Sequence, residues 1–229
     1  MIRLSPTDQI LFGLMNATLL FTLAYSVLGM NLQYEAGFGA EDGPVEYGTA
    51  ICLCLSCLIL MSQAIRTARF SGTSSLWLVL YSAAFLFGAG EEISWGQRII
   101  GWETTGFFAE HNLQNETTLH NLAFGDEQLT KSIFGSYLTV AILLYLVVLP
   151  LLYSRVPIVA RLVDRTMLPL PSARHGITAV GASLVIGVLA TVSRKWEAYE
   201  FIFSLLTMSI FLHPGNAHRF TSSKPDTRN

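Results

Sequence analysis

Apolar runs of bilayer-spanning length recur along this chain, and no other feature constrains its fold as strongly. A helix needs about 17–25 residues to cross the hydrocarbon of a bilayer. In lipid, each backbone donor and acceptor must find a partner within the protein, which favours helices. Six runs fall near that length: residues 10–30, 45–65, 76–95, 133–153, 176–192 and 196–212. Only 13% of residues are charged and 52% are hydrophobic, against about 25% charged in ordinary soluble domains. The expectation is an all-α, polytopic membrane helical bundle of six transmembrane spans. It forms one domain over residues 1–213, followed by a polar cytoplasmic tail, 214–229.

The punctuation between runs agrees. Pro6 precedes the first, which is long for a signal peptide and lacks a small-x-small cleavage site, so it reads as an uncleaved anchor. Pro44 closes an acidic, Gly-rich stretch and suits the first turn of the second. Residues 71–75, SGTSS, offer an N-cap to the third. Pro157, Pro169 and Pro171 interrupt a basic loop, 154–175. Ala179, Ser183 and Gly187 recur every four residues on the fifth run, a spacing that lets helices approach closely. Only residues 193–195 separate it from the sixth, so these two should be antiparallel neighbours.

Basic residues choose the orientation. With both termini cytoplasmic, that side carries Arg3, Arg66, Arg69, Arg155, Arg161, Arg165, Arg174, Arg219, Lys224 and Arg228. The opposite side holds Arg98, Lys131, Arg194 and Lys195, a bias of ten to four. Thirteen of the sixteen acids fall on that outer side. Cys52, Cys54 and Cys57 lie together inside one apolar run and read as small packing residues rather than a disulfide framework.

Against this background the stretch 90–121, GEEISWGQRIIGWETTGFFAEHNLQNETTLHN, is anomalous. Glu91 and Glu92 sit where the third run should still be in lipid, and intramembrane carboxylates mark functional sites. On a continuous helix Glu91, Ser94 or Trp95, and Arg98 would share a face, with Glu92 about 100° away. One glutamate would then face the central cavity and the other a neighbouring helix or Arg98. Further on, Glu116 and His120 stand four apart. A short interfacial helix there, N-capped by Asn112 or Asn115 and preceded by Phe107 and Phe108, would place them on one face. A carboxylate and an imidazole so spaced can chelate a divalent metal or act as a base and its orienter. The same loop adds His111, Gln114 and Asn115.

Three acids complete the outer rim: Glu46 in the first turn of the second run, and Glu197 and Glu200 at the start of the sixth. Carboxylates favour helix N-termini in any case. Arg194 and Lys195 beside them could hold a phosphate or carboxylate, while Trp95, Trp102 and Trp196 suit an interfacial aromatic belt.

The combination G-E-E-I-S-W-G-Q-R, then N-L-Q-N-E-x-x-L-H-N, resembles an uncharacterised group of bacterial multi-pass membrane proteins, over residues 88–122. The resemblance implies the bacterial cytoplasmic (inner) membrane and no particular activity. A looser likeness is to the alkaline-ceramidase and adiponectin-receptor superfamily, which hydrolyses lipid amides with a buried metal. This chain has six runs rather than seven and lacks an intramembrane His-x-x-x-His pair near its end; His213 and His218 fall at the cytoplasmic exit.

Three functions remain open. The first is a hydrolase or transferase acting on a lipid or lipid-linked substrate at the outer interface. Glu91 or Glu92 would serve as base or ligand, Glu116 and His120 as ligands or acid/base, and Arg98 as an anion clamp. Gln114, Asn115, Arg194 and Glu200 would contact substrate. A zinc-like divalent metal would be held by Glu92, Glu116 and His120, with Glu46 and His111 as further candidates. The second is an ion-coupled transporter, the third a non-catalytic membrane assembly or binding subunit. Nucleic acid is excluded as a partner by the absence of a basic, aromatic-interleaved stripe and a pI near 6.2.

Overall fold

The computed structural model describes residues 4–124, 127–128 and 137–221. Arg3, Lys131, the start of the expected fourth span and the end of the tail lie outside the described residues. The fold is a helical bundle. Helix α1, Pro6–Val27, opens with Ser5 as N-cap, whose hydroxyl accepts from the Asp8 amide at 3.0 Å, and with Pro6 in the first turn. A short helix, α2 (Asn31–Ala36), follows. Helix α3, Pro44–Ala68, again begins on its proline. Helix α4, Gly72–Glu92, is capped by the Ser71 hydroxyl, which accepts from the Ser74 amide.

Beyond α4 the chain makes a 3₁₀ turn, then the short helices α5 (Gln97–Ile100) and α6 (Gly106–His111). A two-residue antiparallel pairing joins β1 (Ala123–Phe124) to β2 (Glu127–Gln128). Next come α7 (Leu138–Leu143), a π-turn and α8 (Leu149–Arg155), which run on as one apolar helix, Leu138–Arg155. Helix α9, Pro157–Arg165, is short and amphipathic; α10, Ala173–Val188, is apolar; α11, Lys195–Leu212, and the terminal turn α12, His218–Thr221, complete the chain.

Four of these helices are long and apolar enough to cross a membrane: α1, α3, α4 and the continuous Leu138–Arg155. Helix α10 has 16 residues. Helix α11 has 18 but carries Lys195, Glu197 and Glu200. Large apolar side chains on the outward faces of the long helices and α10, such as Leu20, Leu58, Leu86, Val140 and Leu184, stand exposed. Exposed apolar surface on this scale suits contact with lipid rather than water.

Helix α11 is the axis. It packs on α3, α1 and α10, while α3 and α4 form the most extensive pair. Ile202, Leu205, Leu206 and Ile210 of α11 are buried in the core with Met15, Leu60, Ala179 and Ile186. Ala179 and Ser183 allow α10 to approach α11 closely, with Ser183 Oγ 2.7 Å from the Tyr199 hydroxyl. Gly187, on the same expected stripe, faces open space. Cys52 and Cys57 are buried thiols, Cys54 is exposed, and Cys57 Sγ lies 3.2 Å from Ser82 Oγ.

Two local expectations need correction. The third helix does not continue to Trp95. It ends at Glu92, because Ser94, Trp95 and Gly96 take left-handed conformations (φ 48°, 55° and 80°) and reverse the chain. Gly90 makes this possible: a Cβ there would meet the Trp95 ring at 2.7 Å. The second correction is that Glu116–His120 is irregular, and the loop's helix is α6, just upstream. Asn112 is not an N-cap for that segment. Its Oδ1 accepts from the amides of Gln114 and Glu116 at 3.0 and 3.1 Å, and its Nδ2 donates to the Thr118 carbonyl at 2.9 Å. Side-chain bonds of this kind compete with helical ones and hold the backbone in turns.

Candidate functional site

The reversed loop folds back over the end of α4, and Glu91 fastens it there. Its Oε2 accepts from the amides of Leu119 at 2.7 Å and His120 at 3.0 Å, and lies 3.2 Å from His120 Nδ1. Its Oε1 accepts from Trp95 Nε1 at 2.8 Å. Glu91 is 6% exposed, so these donors replace water almost completely. Trp95, expected only in the interfacial belt, is thus also a hydrogen-bond donor.

A second tie runs through Gln97 and Arg98. Gln97 Oε1 accepts from the Thr117 amide at 2.7 Å, and its Nε2 donates to Thr104 Oγ1 at 2.6 Å. The Thr104 hydroxyl donates in turn to the carbonyl of Asn115, a residue at φ 56°. Arg98 pairs with Glu116, with Glu41 at 2.5 Å and with Asp42 at 3.0 Å. Partial burial of the guanidinium opposes its charge, but the Glu41 and Asp42 carboxylates outweigh this and hold its pKa above the usual arginine value. Asn121 Nδ2 donates to Gln114 Oε1 at 2.7 Å and Glu116 Oε2 at 3.2 Å. His111 remains in α6, stacked on Phe107 at 4.5 Å.

Arg194 closes the opposite side. It donates to the Gly39 carbonyl at 2.6 Å and pairs with Glu197 at 2.9 Å, Glu41 at 3.6 Å and Glu46 at 4.0 Å. Glu41 therefore bridges Arg98 and Arg194, joining three chain segments across one end of the bundle. Both arginines expected to meet an anionic substrate are committed to the protein's own carboxylates. Lys195 instead lies over the Trp196 ring, 5.4 Å from its centroid.

Glu92 and Glu200 stand apart from this network. Glu92 has Glu200, Glu197 and Glu46 as its electrostatic neighbours, bringing acids of α4, α11 and α3 to one space. Glu92 is half-buried and Glu200 is exposed. Together the four acids line one acidic space, the chamber, between α3, α4 and α11. Among the described residues, neither Glu92 nor Glu200 has a hydrogen-bond or ion-pair partner.

The expected residues thus divide into two sets. Glu91, His120, Arg98, Glu116, Gln114 and Asn115 belong to the loop network, and Glu92 with Glu200 belongs to the chamber. Glu46 and Glu197 lie between them through Arg194. Glu92, Glu116 and His120 are not gathered as one ligand set: among the described residues no three His, Cys, Asp or Glu form a metal-holding group. The sequence alone does not single out Gln97, Thr104, Thr118, Asn121, Glu41 or Asp42, and it gives Asn112 only as an N-cap. The density of Asn, Gln and Thr between residues 97 and 121 was the available signal, since such side chains organise turns. No family model, curated protein or solved structure matches the chain.

Proposed function

We propose that the chain is a six-span protein of the bacterial inner membrane with both termini cytoplasmic. In this reading α10 and α11 are the fifth and sixth spans. The outer chamber is the working site of a hydrolase or transferase acting on a lipid or lipid-linked substrate. The supporting observation is the unengaged pair: Glu92 and Glu200 share one space without partners among the described residues, while Glu91, Glu116, Glu46 and Glu197 are held by donors. Clustered carboxyl groups without hydrogen-bond partners disfavour one another's charged forms, and such clusters are found where chemistry uses them.

Two carboxylates facing one space can divide the work of hydrolysis. One takes a proton from the attacking water or hydroxyl while the other gives a proton to the leaving group. The same pair could hold a zinc-like divalent cation, which would supply a polarised water. The loop network's part is positioning: it roofs the chamber and limits access of bulk water.

The test is turnover of lipid amide, ester and phosphodiester probes by purified protein in nanodiscs, with Glu92→Gln and Glu200→Gln. Either substitution should lower kcat by about a hundredfold or more while the loop amides stay protected from hydrogen exchange. Unchanged turnover in both variants would overturn the reading. An ion-coupled carrier is the second reading, favoured by the location of both acids on helices rather than on the loop. In reconstituted vesicles it requires ion flux that depends on Glu92 and Glu200.

A further inference from the structure

At the end of the bundle opposite the loop, a cavity of about 480 Å³ opens between the start of α4, helix α9 and the turn α12. It takes no part in the chamber chemistry. Arg161 and Arg165 of α9 and Arg219 of α12 line it, together with the hydroxyl residues Ser71, Thr73 and Ser74 at the N-terminus of α4. Asp164 is the one acid of its lining; its Oδ1 accepts from the Tyr153 hydroxyl at 3.0 Å, and its backbone carbonyl accepts from Arg219 at 3.4 Å.

We infer that this cavity is a phosphate-group site at the membrane–water boundary, occupied by the headgroup of an anionic phospholipid.

The lining matches the chemistry of a phosphate ester. Arg161 and Arg165 are four residues apart and so project from one face of α9, presenting two planar donor forks. Arginine forks match phosphate oxygens bidentately. The first turn of α4, a 21-residue helix, adds backbone donors and the positive end of its dipole. Three arginines against one aspartate leave a net positive lining, and its volume is that of an ordinary small-ligand site.

The surroundings favour a lipid over free phosphate. Phe70, next to Ser71, is 62% exposed, and Ile158 and Leu162 of α9 are 66% and 62% exposed. Helix α9 thus carries uncovered apolar side chains on the same short element as its arginines, the pattern of a helix lying in a membrane interface. An acyl chain would cover that surface when the headgroup enters the cavity. The positive-inside orientation makes this end cytoplasmic, where basic pockets between helices recognise anionic headgroups.

Calorimetric titration of the full chain in phosphate-free detergent tests this, with short-chain phosphatidylglycerol, short-chain phosphatidylcholine and inorganic phosphate as probes. Phosphatidylglycerol should bind saturably, and phosphatidylcholine at least about tenfold more weakly. The double variant Arg161→Gln/Arg165→Gln should weaken phosphatidylglycerol binding by about tenfold or more. Asp164→Asn, which keeps an acceptor for Tyr153, should tighten it, a gain that misfolding cannot produce. Equal binding of both lipids, or no change in the double variant, would overturn the site. Saturable inorganic phosphate binding that displaces the lipid at comparable affinity would overturn the lipid as its occupant.

Discussion

Glu91 holds His120 twice, accepting its backbone N–H at 3.0 Å and lying 3.2 Å from its Nδ1. Together with the Leu119 amide at 2.7 Å, these contacts join residues 28 and 29 positions apart in sequence. Glu91→Ala should therefore free the loop from α4. Loss of several hydrogen bonds to one buried carboxylate is expected to cost about 3 kcal/mol. Hydrogen exchange at Leu119 and His120 should accelerate sharply, and unfolding in detergent should shift to lower temperature.

Arg98 should behave as a cross-brace. Arg98→Ala leaves Glu116, 3% exposed, without its cation, and an orphaned buried charge of this kind costs about 3 kcal/mol or more. Arg98→Lys should recover only part of the loss, because an ammonium cannot hold Glu41, Asp42 and Glu116 in one planar fork. A double-mutant cycle with Glu116→Gln should return a coupling energy of at least about 1 kcal/mol.

The chamber acids should oppose stability. Glu200→Gln removes one of several like charges around Glu92 and should raise thermal stability, by about 1 kcal/mol, while removing activity. A fall in stability would show that Glu200 has a structural partner.

The α2 contact carries a pH dependence. Ser193 donates to Glu35 Oε1 from its hydroxyl at 2.6 Å and its amide at 3.2 Å, and these bonds hold the Glu35 pKa below the usual carboxylate value. With the folded pKa depressed, the contact contributes fully above the ordinary glutamate value, about 4.3, and weakens as pH falls through the folded one. Because Glu35 keeps part of its surface in contact with solvent, the effect is local: the Ser193 amide signal should move with acid titration in native protein and stay fixed in Glu35→Gln.

Cysteine-accessibility labelling tests the orientation. Single cysteines at Glu103 and Glu110 should react from the outer side, and at Arg155 and Arg161 from the cytoplasmic side. Labelling of both pairs from one side would overturn the six-span reading.

Much of the helical framework was legible in the chain. Runs of apolar residues bounded by Pro6, Pro44 and Ser71 lead to helices because a segment in lipid must satisfy its own backbone, and those residues set where each begins. Periodicity could not reveal that Glu91 and Glu92 part company. On one regular helix they differ only by a rotation, whereas the folded chain gives Glu91 four donors and Glu92 the company of Glu200. The reversal at Ser94–Gly96 depends on the Trp95 ring finding space beside Gly90, a contact that no propensity encodes.

Local sequence determined where carboxylates, amides and arginines are concentrated, and how unevenly the basic residues are shared among the loops. Only tertiary structure decided which of them meet. Arg98 and Glu41, 57 positions apart, meet because α3 packs on α4, and Glu92 and Glu200, more than 100 apart, because α11 packs at the centre of the bundle. Hydrophobic patterning determines which face of a helix is buried, but burial alone does not name the neighbour. Long-range polar contacts are set by that choice of neighbour, and the site lies in those contacts.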